Sequence, residues 1–258
     1  DCETDILYLY PDENMKTGES IFFNTFNKNL FTISETKLAD KNITIENICI
    51  SGTSSRGAEV TKCRNVVFDN CEFTGIGRYA VYFDGCYDSG VINSYLHDLG
   101  SWGVYFSECG DRINLTSSNC FVTNTHFERF STFRRTYAPA IQMNESVGVS
   151  VSNNKINDAP HFAISHSGNN NIIQYNDISN VCTDTADAGA IYTGRQWSTR
   201  GNEIRYNYLH DILKSTTSTS NPDITAVYLD DLSSSTRVHG NVFYKVGKVA
   251  LFAGGRYN

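Results

Sequence analysis

The stretch "AEVTKCRNVVFDNCEF" at Ala58–Phe73 is followed 23 residues later by "VYFDGCYDSGVINSYL" at Val81–Leu96, and then by "VYFSECG" at Val104–Gly110. This shift superimposes three cysteines, Cys63, Cys86 and Cys109. Within each unit apolar residues alternate with polar ones, which is the pattern of a strand with one buried face. A repeat of this length indicates a solenoid built from stacked coils.

A second repeat, an asparagine followed by a nearby apolar residue, extends this pattern along the chain. The asparagines are Asn47, Asn70, Asn93, Asn124, Asn153, Asn176, Asn207 and Asn241. The apolar residues are Ile50, Phe73, Leu96, Phe127, Ile156, Ile178, Leu209 and Phe243, in steps of 22 to 34 residues. Each coil then contains a short strand, a turn and another strand, with the asparagine bonded to backbone at the bend. We therefore predict an all-β, right-handed parallel β-helix of the pectate-lyase-like superfold.

We expect residues 1–258 to form a single domain that is part of a longer solenoid. A net charge of −7 and a pI near 5.3 argue against a nucleic-acid partner, because phosphate binding needs a basic surface. No run of about eighteen apolar residues occurs, so we expect no membrane span. Paired C-x-x-C spacing is absent, and we expect no zinc or other metal and no cofactor. The cysteine repeat fits either stacked thiols or one disulfide with one thiol left over. The oligomeric state is not indicated.

Four coils exceed the regular 22 or 23 residues, and the excess predicts loops that leave the stack. The long steps are Leu96–Phe127, Phe127–Ile156, Ile178–Leu209 and Leu209–Phe243. Loops on a rigid scaffold often carry function. The last step contains the Ser/Thr-rich segment "KSTTSTSNPD" at Lys214–Asp223, and the last two steps bracket "DAGAIYTGRQW" at Asp187–Trp197.

Aligning the strand that carries polar residues outward predicts an aromatic strip of Tyr192, Tyr228 and Phe252. Such a strip suits stacking against sugar rings, and it also suits plain aromatic stacking along a solenoid face. The same alignment places Asp230 between two glycines, Gly194 and Gly254, in a notch with room for a ligand.

The neighbouring position pairs Asp231 with Arg195, so Asp231 fits a structural ion pair and Asp230 is the freer acid. Asp187 is expected at the bend entering its strand, stacked on Asp223. Repulsion between these two acids would raise one pKa and create a general acid, unless solvent screens both. Three histidines, His161, His166 and His210, are candidates for the site or for simple hydrogen bonding.

From His161 to Asn258 the sequence resembles the β-helix proteins of glycoside hydrolase family 141, which includes an α-L-fucosidase and xylanases. The likeness is most specific in "DAGAIYTGR" and "YLDD". It implies a glycosidase with two catalytic aspartates, Asp187 and one of Asp230 and Asp231. Gln196 departs from the pattern, because the family leads us to expect an aspartate there. The resemblance also implies further coils after Asn258.

The resemblance and the stacking together predict a secreted or periplasmic glycoside hydrolase that acts on a polysaccharide or oligosaccharide. Asp187 and Asp230 would be the acid and the base or nucleophile. Tyr192 and Tyr228 would form the sugar platform, and Arg195 would orient the substrate. His161, His166 and Arg256 are further candidates for substrate contact.

Simple strand geometry resists this pair of acids. Glycosidase carboxylates lie about 5–9.5 Å apart, whereas a strand of four or five residues is about 13–16 Å long. Asp187 must therefore fold back over the cleft.

Two other functions fit the same sequence. A polysaccharide lyase or epimerase acting on uronates would use a cationic cleft, for which Arg195, Arg200 and Arg256 are candidates. A non-catalytic carbohydrate-binding solenoid would use the aromatic residues alone. Fold does not choose among the three.

Overall fold

The computed structural model describes residues 26–213 and 224–258, and within these ranges the regular structure consists of β-strands without a helix. The strands in chain order are β1 (Phe31–Glu46), β2 (Cys49–Thr53), β3 (Arg56–Asp69), β4 (Glu72–Ile76), β5 (Tyr79–Asp84), β6 (Gly90–Ile92), β7 (Tyr95–His97), β8 (Trp102–Ser107), β9 (Phe121–Thr123), β10 (His126–Glu128), β11 (Ile141–Val147), β12 (Ser150–Ser152), β13 (Lys155–Asn157), β14 (Ile164–Asn169), β15 (Ile172–Gln174), β16 (Asp177–Ser179), β17 (Gly189–Thr193), β18 (Asn202–Arg205), β19 (Tyr208–Ile212), β20 (Thr225–Leu229), β21 (Thr236–His239), β22 (Val242–Val246) and β23 (Lys248–Phe252).

These strands stack in parallel on three faces. Face 1 has the order β3-β5-β8-β11-β14-β17-β20-β23, face 2 has β3-β6-β9-β12-β15-β18-β21, and face 3 has β2-β4-β7-β10-β13-β16-β19-β22. The long strand β3 belongs to both face 1 and face 2, and β1 pairs with it. The predicted parallel β-helix is confirmed. Each regular coil has three short strands, however, where the sequence pattern indicated two.

The registers read from the sequence are those of the structure. On face 1 Ala58 pairs with Val81, and Val81 pairs with Val104. On face 3 the predicted apolar column is continuous from Ile50 to Phe243. A one-residue slip would turn each buried side chain to solvent, so burial holds the register.

The coil interior is filled by these apolar columns and by a row of thiols. Phe83 and Phe106 stack with ring centroids 5.2 Å apart. Three cysteines, Cys63, Cys86 and Cys109, are fully buried and free. No disulfide joins any two cysteines of the described residues, so the cysteine repeat forms stacked thiols. Burial raises the pKa of the Cys86 thiol to about 12, which makes it a weak nucleophile.

The single predicted asparagine column is in fact two neighbouring columns. Residues at the first position have positive φ, namely Asn47, Asn70, Asn93, Asn124 and Asn153, then Tyr175, Tyr206 and Gly240. The buried column one position later continues as Asn154, Asn176, Asn207 and Asn241. In this second column each amide donates to the next asparagine's Oδ1 and to a backbone carbonyl. The buried asparagines therefore support the bend from inside the coil.

The excess residues of the long coils form loops, as predicted, and leave the strand registers intact. They lie at residues 108–120, 129–140, 180–188 and 194–201. The predicted loop Lys214–Asp223 lies outside the described residues. No helix that could cross a membrane occurs in residues 26–213 or 224–258.

Candidate active site

Asp187 lies at the bend that enters β17, as predicted, and its backbone has φ of 53°. This left-handed conformation is tolerated by aspartate better than by most residues. The side chain is exposed and accepts a hydrogen bond from the Tyr228 hydroxyl at 3.1 Å. The bend thus turns the carboxylate back over face 1. Its predicted neighbour Asp223 lies outside the described residues.

Asp230 follows β20 directly and is half-buried. Its Oδ2 accepts a hydrogen bond from the Tyr192 hydroxyl at 2.9 Å, and its Oδ1 accepts one from the Asp231 backbone N–H at 2.8 Å. Gly194 lies beside it on the preceding coil. A Cβ at Gly194 would lie 2.7 Å from the Tyr192 hydroxyl and 3.3 Å from the Asp230 Cβ. The glycine therefore leaves room for the tyrosine–aspartate contact.

Tyr228 connects the two acids. Its pKa is raised by burial, by the hydrogen bond to Asp187 and by the charge and hydrogen bonding of Asp230. Two carboxylates that both interact with one hydroxyl have their nearest oxygens within about 6–7 Å of each other. The fold-back that the sequence required is therefore present.

Face 1 does not carry the full predicted aromatic strip. Tyr228 pairs with Leu251 rather than Phe252, because β23 is shifted by one residue from the sequence alignment. Gly254 consequently lies against Leu232, where a Cβ at the glycine would come within 2.3 Å of the Leu232 Cδ2. Asp230 thus has a glycine neighbour on one side, Gly194, instead of two. The aromatic pair that remains, Tyr192 and Tyr228, is T-shaped with centroids 5.6 Å apart.

Asp231 forms the ion pair that the sequence predicts. The Arg195 Nε donates to its Oδ2 at 2.8 Å, and the Arg195 side chain is 84% exposed. An exposed pair of this kind contributes little to stability. It holds Asp231 away from Tyr192 and Tyr228, which both point to the other two acids.

Two aromatic residues that the sequence did not single out extend the platform. Phe162 stacks on Tyr192 with centroids 4.3 Å apart and planes at 6°. Tyr137, from the loop at 129–140, is 59% exposed and lies over His161 and Phe162. The excess length of the Phe127–Ile156 coil was the available signal for Tyr137.

His161 lies under this platform with 4% of its surface exposed. The Tyr137 backbone N–H donates to its Nδ1 at 3.4 Å. Burial lowers the pKa of His161 to about 4, so the ring is neutral at pH 7. The structure places it as a support for Tyr137 and Phe162.

His166 lies inside the coil, away from the cleft. It pairs with Met143 in the inward column and is 2% exposed. Neither ring nitrogen has a hydrogen-bond partner among the described residues. Burial lowers its pKa to about 4. A side chain in this position does not reach a substrate on face 1, so we leave His166 out of the proposed site.

Replacing His166 with Met should make the protein more resistant to acid. Unfolded histidine binds a proton below about pH 6.5, whereas folded His166 stays neutral until its pKa of about 4. The wild type therefore loses about 1.4 kcal/mol per pH unit at this residue as the pH falls from 6.5 to 4. His166→Met removes that loss, and it removes unsatisfied buried nitrogens at neutral pH.

Urea unfolding at pH 7.5 and pH 4.5 measures this effect. The control is His210→Gln on face 3, where the histidine is bonded to Asp177 and Asp211. A His166→Met variant that loses as much stability on acidification as the wild type would contradict the prediction.

Arg256 lies beyond the carboxylates, in a cavity at the corner between faces 1 and 2. It shares that cavity with Arg200 and Trp197. The structure thus brings Asp187, Asp230, Tyr192 and Tyr228 together on face 1. His166 lies in the core, and Arg256 lies at a separate corner.

The family model described as a right-handed beta helix region matches residues 1–128, just under half of the chain. No curated protein shows significant sequence similarity to the chain. The matched half contains the regular coils, whereas the candidate acids lie in the other half.

Two solved structures share the architecture. An alginate lyase from Paenibacillus sp. str. FPU-7 is 18% identical with a TM-score of 0.57, over 92% of this chain and 78% of that one. A glycoside hydrolase is 14% identical with a TM-score of 0.54, over 79% of this chain. The matched region is only 38% of that hydrolase's length. At these identities the likeness shows the fold. The chain is therefore a right-handed parallel β-helix whose face 1 carries two aspartates around paired tyrosines.

Proposed function

We propose that the protein is a glycoside hydrolase that cleaves a polysaccharide or its side chains, with Asp187 and Asp230 as the catalytic pair. The observation that carries this proposal is the Tyr228 hydroxyl, which interacts with both carboxylates. The resulting separation falls within the range of about 5–9.5 Å that glycosidases use. The resemblance of residues 161–258 to glycoside hydrolase family 141 supports the same pair.

In the proposed reaction, one acid donates a proton to the glycosidic oxygen as the bond from that oxygen to the anomeric carbon breaks. The other carboxylate either attacks the anomeric carbon or removes a proton from the attacking water. Water thus supplies the hydroxyl of the new reducing end. Tyr192 and Phe162 provide a stacked aromatic support for a sugar ring on face 1.

The proposal includes action outside the cytoplasm, in the medium or the periplasm, because polysaccharides are found there. The similarity of the fold to both a hydrolase and a lyase leaves the reaction class to the products. Arginine near the acids gives a uronate lyase a specific basis as the second candidate.

Product analysis tests the choice. The protein is incubated with xylan, a fucosylated polysaccharide and polygalacturonate, and reducing ends are measured beside the ultraviolet absorbance of unsaturated uronates. Hydrolysis releases reducing ends without that absorbance. Products with unsaturated ends would replace the hydrolase with a lyase, and the absence of turnover on all glycans would favour a binding solenoid.

A further inference from the structure

The corner cavity at Arg256 has a volume of about 630 Å³. It is formed where the loops at 108–120, 194–201 and 230–235 leave face 1 for face 2, together with the last described residues. The candidate acids have not used it. Its floor includes Asn169, which is 3% exposed and whose Nδ2 donates to the Ser198 carbonyl at 2.9 Å.

The charge of this cavity is opposite to that of the protein. The chain has a net charge of −7, yet the cavity lining includes three arginines and no acidic residue, the arginines being Arg112, Arg200 and Arg256. Concave sites with one sign of charge focus the field and attract ligands of the other sign. The cavity is therefore suited to an anion.

Two of the three guanidinium groups are available for a ligand. Arg112 pairs with Glu145 at 3.3 Å and donates to Asn169 Oδ1 at 3.2 Å and Ser198 Oγ at 2.7 Å. Arg200 and Arg256 have exposed side chains without an ion pair or side-chain hydrogen bond to any described residue. Arg112 thus holds the wall in place, and the other two can bind a carboxylate or sulfate by paired N–H donors.

An aromatic surface and hydroxyl groups complete the lining. Trp197 is 76% exposed, although indole rings are usually well buried. Ser234 and Ser235 add hydroxyls on the opposite loop. An indole face, hydroxyls and guanidinium groups together match a sugar ring that carries a negative charge, because the ring stacks while the charge is paired.

The cavity adjoins the proposed catalytic pair through two short loops. Asp230 and Asp231 begin the loop that contains Ser234, and Arg195 precedes Trp197 by two residues. We infer that this cavity is a subsite for an anionic sugar unit, a uronate or a sulfated residue, of the same glycan that is cut at Asp187 and Asp230. This inference rests on the proposed function and adds the substrate class to it.

Calorimetric titration with polygalacturonate, carrageenan and xylan tests the subsite. The first carries carboxylates, the second sulfates, and the third is the neutral comparison. An Asp230→Asn background prevents cleavage during the measurement. In that background the double variant Arg200→Gln/Arg256→Gln is compared with Lys155→Gln/Arg237→Gln, which removes two exposed charges on faces 3 and 2.

We expect one anionic polymer to bind, and the arginine variant to weaken it at least tenfold, which corresponds to about 1.4 kcal/mol. The control variant should bind as the parent does. The polymer that responds identifies carboxylate or sulfate. Equal binding by the arginine variant and its control, or binding of xylan alone, would overturn the subsite.

Turnover by the protein without the Asp230 substitution separates the two proposals. Hydrolysis of a neutral glycan that is unaffected by the arginine changes would retain the hydrolase and reject the subsite. Arginine-dependent binding without any cleavage would retain the subsite and reject the hydrolase. Thermal unfolding of each variant verifies that the coil is intact.

Discussion

Asp230→Asn and Asp187→Asn are each expected to lower kcat at least a thousandfold. A positioned acid or base contributes about 10²–10⁴ to the rate, and in a two-carboxylate glycosidase neither group replaces the other. Asparagine is nearly isosteric with aspartate, and its carbonyl can still accept from the Tyr192 or Tyr228 hydroxyl. The loss of rate should therefore occur without a loss of fold. Initial rates of reducing-end release measure it.

Asp231→Asn is the informative comparison. Its carboxylate is bound to Arg195 at 2.8 Å, in an exposed pair, so we expect a loss smaller than tenfold. The outcome that would contradict the assignment is the reverse order, with Asp231→Asn inactive and Asp230→Asn active. In that case Arg195 would hold the working carboxylate, and Tyr192 would serve only as a packing partner of Asp230.

The position of each acid was predictable from stacking, but their proximity was not. The "DAGAIY" and "AVYLD" segments align as predicted, with Ile191 on Val227 and Tyr192 on Tyr228. Strand length alone then separates the acids. What brings them together is the positive φ of Asp187 and the reach of the Tyr228 side chain. Neither the bend angle nor the rotamer is encoded in an apolar repeat.

The error at β23 has a different physical origin. The sequence alignment placed Leu251 on Val227, whereas the structure places Ala250 there. Both residues are apolar, so the alternating pattern does not distinguish the two registers at this strand. The coil before it contains a long loop, and a variable loop length removes the fixed spacing that sets the register of the earlier coils.

The asparagine columns show a signal that the sequence did contain. In the first five coils the asparagine precedes its apolar partner by three residues, as Asn47 precedes Ile50. In the last three coils the spacing is two, as Asn176 precedes Ile178. That change marks the switch from the exposed, positive-φ position to the buried one. The buried column begins with Asn154, and its side chains hold the bends of the later coils.

Asn176→Ala is expected to destabilise the fold by about 3–5 kcal/mol, a large part of the 5–15 kcal/mol typical of a folded domain. Asn176 is 1% exposed, and its Nδ2 donates to the Val151 carbonyl at 3.0 Å and to Asn207 Oδ1 at 2.9 Å. Its Oδ1 accepts from the Asn154 backbone N–H at 3.0 Å. Alanine leaves those buried partners unsatisfied, at about 1–3 kcal/mol for each group.

Asn157→Ala is the matched control for this loss. Asn157 is a half-buried residue of β13 whose side chain bonds to His126 at 2.9 Å and to Asp158 at 2.7 Å on the outside of face 3. Those partners keep access to water, so we expect a change below about 1 kcal/mol. Urea unfolding gives both values. Similar losses for the two variants would mean that apolar columns, rather than the asparagine column, hold the bends. A loss confined to Asn176→Ala would show that the bend depends on hydrogen bonds inside the coil, because no apolar side chain at that position could satisfy Val151 and Asn154.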